Sequence, residues 1–318
     1  MLEGSGIRRV FLTGGTGFVG KWLLTLFQTL EAEVVVLSRN PDDFLTRCPM
    51  FGNNPHSAFV QGDVRDFIFP EGSFDCVIHA ATEASARLEN ENPEERFSVI
   101  VDGTRRVLKF SKQAGVQRLL YISSGAVYGI QPPELSHIPE TFSCNPVTAY
   151  GKGKFQAEQM CLESGIDTVI ARPFAFVGPW LPLDAHFAIG NFIGNCLRAE
   201  PITIKGDGTP LRSYMYGSDL ADWLVTLLLK GRSGEAYNVG SEKAISIADL
   251  AHLVRSVAGT DNEIKVFRQP VPGSLPARYI PATKKAADEL GLRLQVGLKK
   301  AISETISWHQ VRDGESPQ

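Results

Sequence analysis

A serine, a tyrosine and a lysine carry the chemistry that this sequence announces. Ser124 stands in Ser123-Ser124-Gly125-Ala126-Val127-Tyr128-Gly129, and Tyr150 is followed four positions later by Lys154. A free phenol titrates near pH ~10, too high for proton transfer at neutral pH. A nearby ammonium favours the phenolate and brings the group into range. At a spacing of four, Tyr150 and Lys154 share one face of a helix. Such a set can pass a proton to or from an oxygen that Ser124 holds by a hydrogen bond. The adjacent carbon then needs a hydride carrier.

The carrier's site is Thr13-Gly14-Gly15-Thr16-Gly17-Phe18-Val19-Gly20. The apolar run 10–12 before it suits a buried strand, and residues 18–30 after it have helical apolar spacing. Gly14 permits the tight turn, Gly17 lets backbone approach a pyrophosphate, and Gly20 lets helix and strand pack closely. The helix N-terminus faces the phosphates with free N–H groups and partial positive charge. Lys154 can hold the nicotinamide ribose as well as tune Tyr150. The expectation is a nicotinamide-dependent oxidoreductase centre.

These groups need a scaffold that gathers them. Strand-like runs at 10–12, 34–37, 58–60, 76–79, 119–123 and 168–171 alternate with helix-like segments, among them 92–114 and 149–164. Alternation of this kind predicts an α/β fold, a doubly wound parallel sheet of Rossmann type. Ligands bind beyond the carboxyl ends of such strands, where Gly14, Asp63, His79, Ser123 and Ser124 fall. After Arg172, prolines and glycines break the pattern, and helices are expected at 218–230, 247–258 and 298–308. The predicted division is a dinucleotide-binding domain over 1–180, rejoined by about 212–240, and a smaller interleaved substrate-binding part from 181–211 and 241–310. Residues 311–318 are expected to be a flexible tail.

Composition narrows the function classes. The chain has 318 residues, 43% of them hydrophobic, and a net charge of −3. No basic stripe suits nucleic acid. Five scattered cysteines without a Cys-x-x-Cys argue against a disulfide framework or a metal site and fit a reducing cytosol. No signal-peptide character and no membrane-length apolar run is present, so a cytoplasmic protein without a membrane partner is expected.

Taken together, these motifs resemble the extended short-chain dehydrogenase/reductases of the NAD-dependent epimerase/dehydratase family, which act on nucleotide sugars. The resemblance covers nearly the whole chain and extends to Gly62-Asp63-Val64, His79-Ala80-Ala81, Arg172-Pro173, Gly178-Pro179, 206–214 and Asp219-Leu220-Ala221. It implies catalysis by Ser124, Tyr150 and Lys154. It also implies cofactor contacts from Gly14, Gly17, Phe18, Val19, Ser38, Arg39, Asp63, Val64, Ala80, Ala81, Tyr150, Lys154 and Pro173. Asp63 and the Val64 N–H would hold the adenine. Ser124, Asn191, Arg212 and Arg278 would meet the substrate, the two guanidinium groups on its diphosphate. Family members often pair the helices at 92–114 and 149–164 across a two-fold axis, so a homodimer is expected. Phe97, Val101, Val107, Leu108, Phe155, Met160 and Leu162 supply apolar surface for it.

Departures from the family narrow the reaction. Dehydratases of this group carry Asp-Glu after the Ser/Thr, whereas Gly125 and Ala126 stand here, without a carboxylate for acid or base work. Ile100, Ala175 and Ala282 replace the family's usual Asn, Asn and Asp. NAD-preferring members end the second strand with an acid that binds the adenosine ribose. This chain has Leu37-Ser38-Arg39-Asn40, which suits a 2′-phosphate, so NADP(H) is favoured over NAD(H). The expected activity is reduction of a nucleotide-linked 4-keto-6-deoxysugar by NADPH, for deoxysugar and surface-polysaccharide synthesis. The alternatives are an NAD-dependent nucleotide-sugar 4-epimerase and, further off, a non-catalytic dinucleotide-binding protein.

Overall fold

The computed structural model describes residues 7–30, 32–82, 92–185 and 187–314. Its strands are β1 (Arg9–Thr13), β2 (Glu33–Ser38), β3 (Ser57–Gln61), β4 (Cys76–His79), β5 (Arg118–Ile122) and β6 (Asp167–Pro173), then the two-residue β7 (Phe176–Val177). There follow β8 (Ile202–Ile204), β9 (Leu211–Arg212), β10 (Met215–Tyr216), β11 (Ala236–Val239), β12 (Ile245–Ser246), β13 (Ile264–Val266) and β14 (Arg278–Tyr279). Seven of them form one sheet in the order β11-β6-β5-β4-β1-β2-β3. Every pairing in it is parallel.

Strand order reverses between β1 and β4, which opens the crevice in which sheets of this kind take a ligand. Side chains alternate across the sheet, so β1 feeds two cores. Val10 and Leu12 join Val34 and Val36 beneath α1 (Phe18–Phe27), where Leu23 and Leu24 are buried. Phe11 points the other way, with Val35 and Val77, towards Ile100 and Val107. After the short α2 (Pro41–Arg47), this second face is covered by α3 (Pro93–Gln113) and α4 (Ala149–Leu162). Helices α5 (Ala188–Leu197), α6 (Gly217–Lys230), α7 (Ile247–Ala258), α8 (Lys284–Leu290) and α9 (Leu298–Gly314) complete the chain. Of these, α6 packs on the α1 side, while α5, α7 and α9 share a separate core through Ile193, Leu250 and Ile302.

Local chemistry explains the helix starts nearest the site. The Asn92 side chain accepts from Glu95 N at 3.1 Å, so α3 begins at Pro93, where a missing N–H costs nothing. Thr148 accepts from Gly151 N at 3.0 Å and places Tyr150 in the first turn of α4. Gly14 adopts φ +73°, and a Cβ on Gly20 would lie 2.3 Å from the Gly14 carbonyl oxygen, so the loop and α1 tolerate no side chain there.

Two sequence expectations change. The last helix, expected to end near 308, runs to Gly314, and 315–318 lie outside the described residues. The apolar surplus on 92–114 and 149–164 is mostly taken up within the chain: Val101, Val107 and Leu108 are buried. Met160 packs on that same core, and Phe155 packs beside Tyr128 and Phe174. Leu162 stays exposed and Phe97 half-buried. Among the described residues, no helix is long and apolar enough to cross a membrane.

Candidate active site

The carboxyl ends of β1, β2, β3 and β4 and the starts of α1 and α3 border a cavity, and the end of β5 meets the start of α4 next to it, where Arg96 of the cavity wall lies over the Tyr150 ring. Ser124 follows β5 in extended backbone and is 8% exposed. Its Oγ accepts from Ala126 N at 3.2 Å, which starts the short turn Gly125–Tyr128. Tyr150 lies near Ser124, at the start of α4. Burial pushes its phenol up, against the pull of Ser124 and of the Arg96 charge.

Lys154 is 2% exposed and donates to Ile122 O at 2.7 Å. Its Nζ lies 5.1 Å from the Tyr121 ring centroid and 5.9 Å from that of Tyr150. Burial pulls its ammonium down to about 7; Cys161 and Glu158 oppose this, and Arg96 adds to it. One turn further along α4, Glu158 accepts from Arg172 at 2.7 and 3.0 Å, with both side chains buried. Arg172 also donates to Tyr128 Oη at 3.0 Å, and that hydroxyl donates to Asn238 at 2.8 Å. The network ties α4 to β6 and β11, so the helix that carries Tyr150 and Lys154 is anchored from below.

His79 has a positioning part. Thr104 gives its hydrogen to Ile100 O, so it can only accept from His79 Nε2, 3.0 Å away. His79 Nδ1 therefore accepts from Thr13 Oγ1 at 2.7 Å, and that oxygen accepts from Ala81 N at 3.1 Å. Burial, with Lys154 nearby, lowers the imidazole to about 3, so it stays neutral. The chain of bonds fixes Ala80 and Ala81 against the glycine loop.

A cavity of about 400 Å³ opens beside that loop, and Gly14, Gly17, Ser38, Arg39, Asp63, Val64 and Ala81 all line it. These are seven of the residues that the sequence marks for a dinucleotide. Thr16 of the glycine loop lines it too, as do Arg65, Glu95 and Arg96, which no motif marks. Asp63 receives Arg65 at 2.8 and 3.2 Å, and this pairing holds its carboxyl below the usual range. Arg65 also reaches Glu95 at 2.6 Å, so a salt bridge joins the end of β3 to the start of α3 along the cavity wall. A second cavity of about 230 Å³ adjoins the first, with Ser38, Arg39, Lys21 and Arg47 around it and Asp43 on its wall.

The remaining residues lie around these. Phe18 stacks on Phe176 at 4.8 Å, Val19 packs on the α1-side core, and Pro173 pairs with Val239. Asn191 is on α5. Arg212 pairs in register with Tyr279 and Arg278 with Leu211, so the two arginines project from opposite faces of their strands. Arg278 Nε donates to Pro133 O at 2.9 Å.

The family model described as the NAD dependent epimerase/dehydratase family matches residues 10–240. The chain belongs to that family. As a family member it is an enzyme of the extended short-chain dehydrogenase/reductase type. Among its relatives, UDP-glucuronic acid decarboxylase 6 of Arabidopsis thaliana is 30% identical over 306 residues, 92% of this chain and 86% of that protein. A UDP-glucuronic acid 4-epimerase variant from Bacillus cereus, solved with a fluorinated UDP-sugar and NAD, shares the fold at TM-score 0.86 and 22% identity, over 96% of this chain and 100% of that one. A dTDP-glucose 4,6-dehydratase from Streptomyces venezuelae, also with NAD, shares it at TM-score 0.84 and 24% identity, over 96% and 98%. The family's sugar-nucleotide enzymes differ in reaction, so the choice among reactions rests on this chain's own residues.

Proposed function

We propose that this chain is an NADPH-dependent reductase of a nucleotide-linked 4-keto-6-deoxysugar, working in the cytosol. The observation that carries the reading is the end of β2. Ser38 and Arg39 line both cavities, and the acid that would receive a ribose 2′-hydroxyl is missing there. Lys21 adds positive charge around the smaller cavity, where Arg47 is paired with Asp43, and with Arg39 it makes the environment that a 2′-phosphate needs. NADPH is the cell's reducing carrier, so preference for it favours net reduction. Gly125 and Ala126 add to the case, since neither offers the acid or base that dehydration requires.

The cofactor, when bound, supplies a hydride to the keto carbon. The chain does the rest: Ser124 donates a hydrogen bond to the keto oxygen and Tyr150 gives it a proton. Lys154 steadies the developing phenolate and the ribose. Arg212, with Asn191, is proposed to hold the nucleotide diphosphate, while Arg278 lies on the opposite face and donates to Pro133 O; a symmetric dimer across α3 and α4 completes the proposal.

A second reading, a nucleotide-sugar 4-epimerase that retains NAD, is favoured by the family's NAD dependence and by the NAD in the solved relatives. Release of bound cofactor from denatured pure protein separates the two. Protein that comes out empty and oxidises NADPH with a 4-keto sugar nucleotide is the reductase. Stoichiometric NAD, with no NADPH oxidation on such sugars and with conversion of a nucleotide hexose into its 4-epimer, establishes the epimerase instead.

A further inference from the structure

The place next to Ser124 that a side chain at 125 would occupy is already filled. A Cβ built on Gly125 would lie 2.6 Å from the Tyr279 hydroxyl and 2.8 Å from the Phe174 ring. Tyr279 comes from β14, far away in sequence, and packs on Phe174 with ring centroids 4.6 Å apart and the planes tilted by 35°. Pairing of β14 with β9 sets it beside Arg212, on the face away from Arg278. Its hydroxyl therefore lies beside Ser124, and burial pushes its phenol up, so at neutral pH it keeps a hydrogen that it can donate.

A serine hydroxyl has one hydrogen and two lone pairs. Ala126 N–H takes one lone pair of Ser124 Oγ. A phenol that donates to the other leaves Ser124 nothing to do except donate. We propose that Tyr279 is a positioning residue: its hydroxyl donates to Ser124 Oγ and thereby aims the Ser124 hydrogen at the substrate's keto oxygen. The same hydroxyl fills the room beside Gly125, so a carboxylate at 125 and a tyrosine at 279 exclude each other. The inference rests on the proposed role of Ser124 in carbonyl reduction and deepens it.

Tyr279→Phe keeps the ring packed on Phe174 and removes only the hydroxyl. Single-turnover hydride transfer, from NADPH to a 4-keto sugar nucleotide, should fall about tenfold, with KM for the cofactor unchanged. The deciding measurement is a double-mutant cycle with Ser124→Ala. If Tyr279 acts through Ser124, adding Tyr279→Phe to Ser124→Ala should cost no further rate. An equal loss in both backgrounds, or full activity of Tyr279→Phe in the wild-type background, overturns the proposal. Wild-type turnover is the control for the reductase reading. Should it be absent while a UDP-hexose reduces NAD bound to the protein, that reading fails, and the same cycle run on the NAD reduction still decides the role of Tyr279.

Discussion

The guanidinium of Arg96 lies over the ring of Tyr150, its central carbon 4.5 Å from the ring centroid. Arg96 is 6% exposed, and its charge does not titrate in the working range. A desolvated cation on a phenol's face stabilises the phenolate more than the phenol. Around Tyr150, Ser124 supplies a polar hydroxyl, Lys154 a titrating ammonium, and Tyr121 and Tyr279 two neutral phenols that burial pushes up. Arg96 thus places a permanent positive charge on the group proposed to move the proton.

Replacing Arg96 by Met should raise the working pKa of Tyr150. Reduction needs the protonated phenol, so its alkaline limb should move to higher pH, by about one unit for a buried cation–π contact. Sugar oxidation needs the phenolate, so its acid limb should move the same way. Arg96→Lys should hold part of the shift. Profiles of kcat/KM in both directions test this, and limbs that stay where they are in the Met variant would sink it.

Tyr150→Phe should retain the fold and cofactor affinity while turnover falls about 10²-fold or more, the scale of a lost general acid. Ser124→Ala should fall comparably and also orient the sugar less well. Retention of most activity by the Phe variant, with chemistry still limiting, would give the proton to another group.

The parts of this site that the sequence discloses are those set by local geometry. Gly14 and Gly20 lie in a turn between strand and helix, Ser124 ends a strand, and Tyr150 and Lys154 are one helical turn apart. Each was legible because neighbours in the chain fix its place. Arg96 and Tyr279 were not. Arg96 sits in Pro93-Glu94-Glu95-Arg96, a turn with the composition of a solvated surface, and it reaches Tyr150 only because α3 docks beside α4. Tyr279 depends on the register of β14 on β9, two residues long each and too short for any periodicity. The seventh strand, β11, escaped for the same reason: Ala-Tyr-Asn-Val carries a buried asparagine that its tertiary partners satisfy.

Cofactor choice is testable at the end of β2. Ser38→Asp with Arg39→Ala should weaken NADPH by about 1.5–3 kcal/mol, the worth of a charge-assisted contact, and favour NADH. Fluorescence titration of both cofactors measures it. Wild-type protein that binds NADH as tightly as NADPH would remove the main support for the reductase reading.

For the dimer, Leu162 is the informative position, since it is 39% exposed at the end of α4 and its loss leaves the core intact. Leu162→Arg should halve a mass of about twice 34.8 kDa measured by light scattering. Wild-type protein scattering at the mass of a single chain would end the dimer proposal.

Lys154 makes the stability of the cofactor-free protein depend on pH. Its pKa falls from about 10.4 in an unfolded chain to about 7 in the fold. Between those values the unfolded state binds the extra proton, so stability rises with pH across that window. The cost of burying the ammonium is therefore full below pH ~7 and relieved towards pH ~10. Lys154→Met removes that cost together with the bond to Ile122 O, and the second loss does not vary with pH. The Tm of the Met variant relative to wild type should consequently be highest near pH 6.5 and decline steadily towards pH ~9.5. A Tm difference that stays flat across this range would mean that Lys154 titrates at its ordinary value, with its charge compensated in the fold.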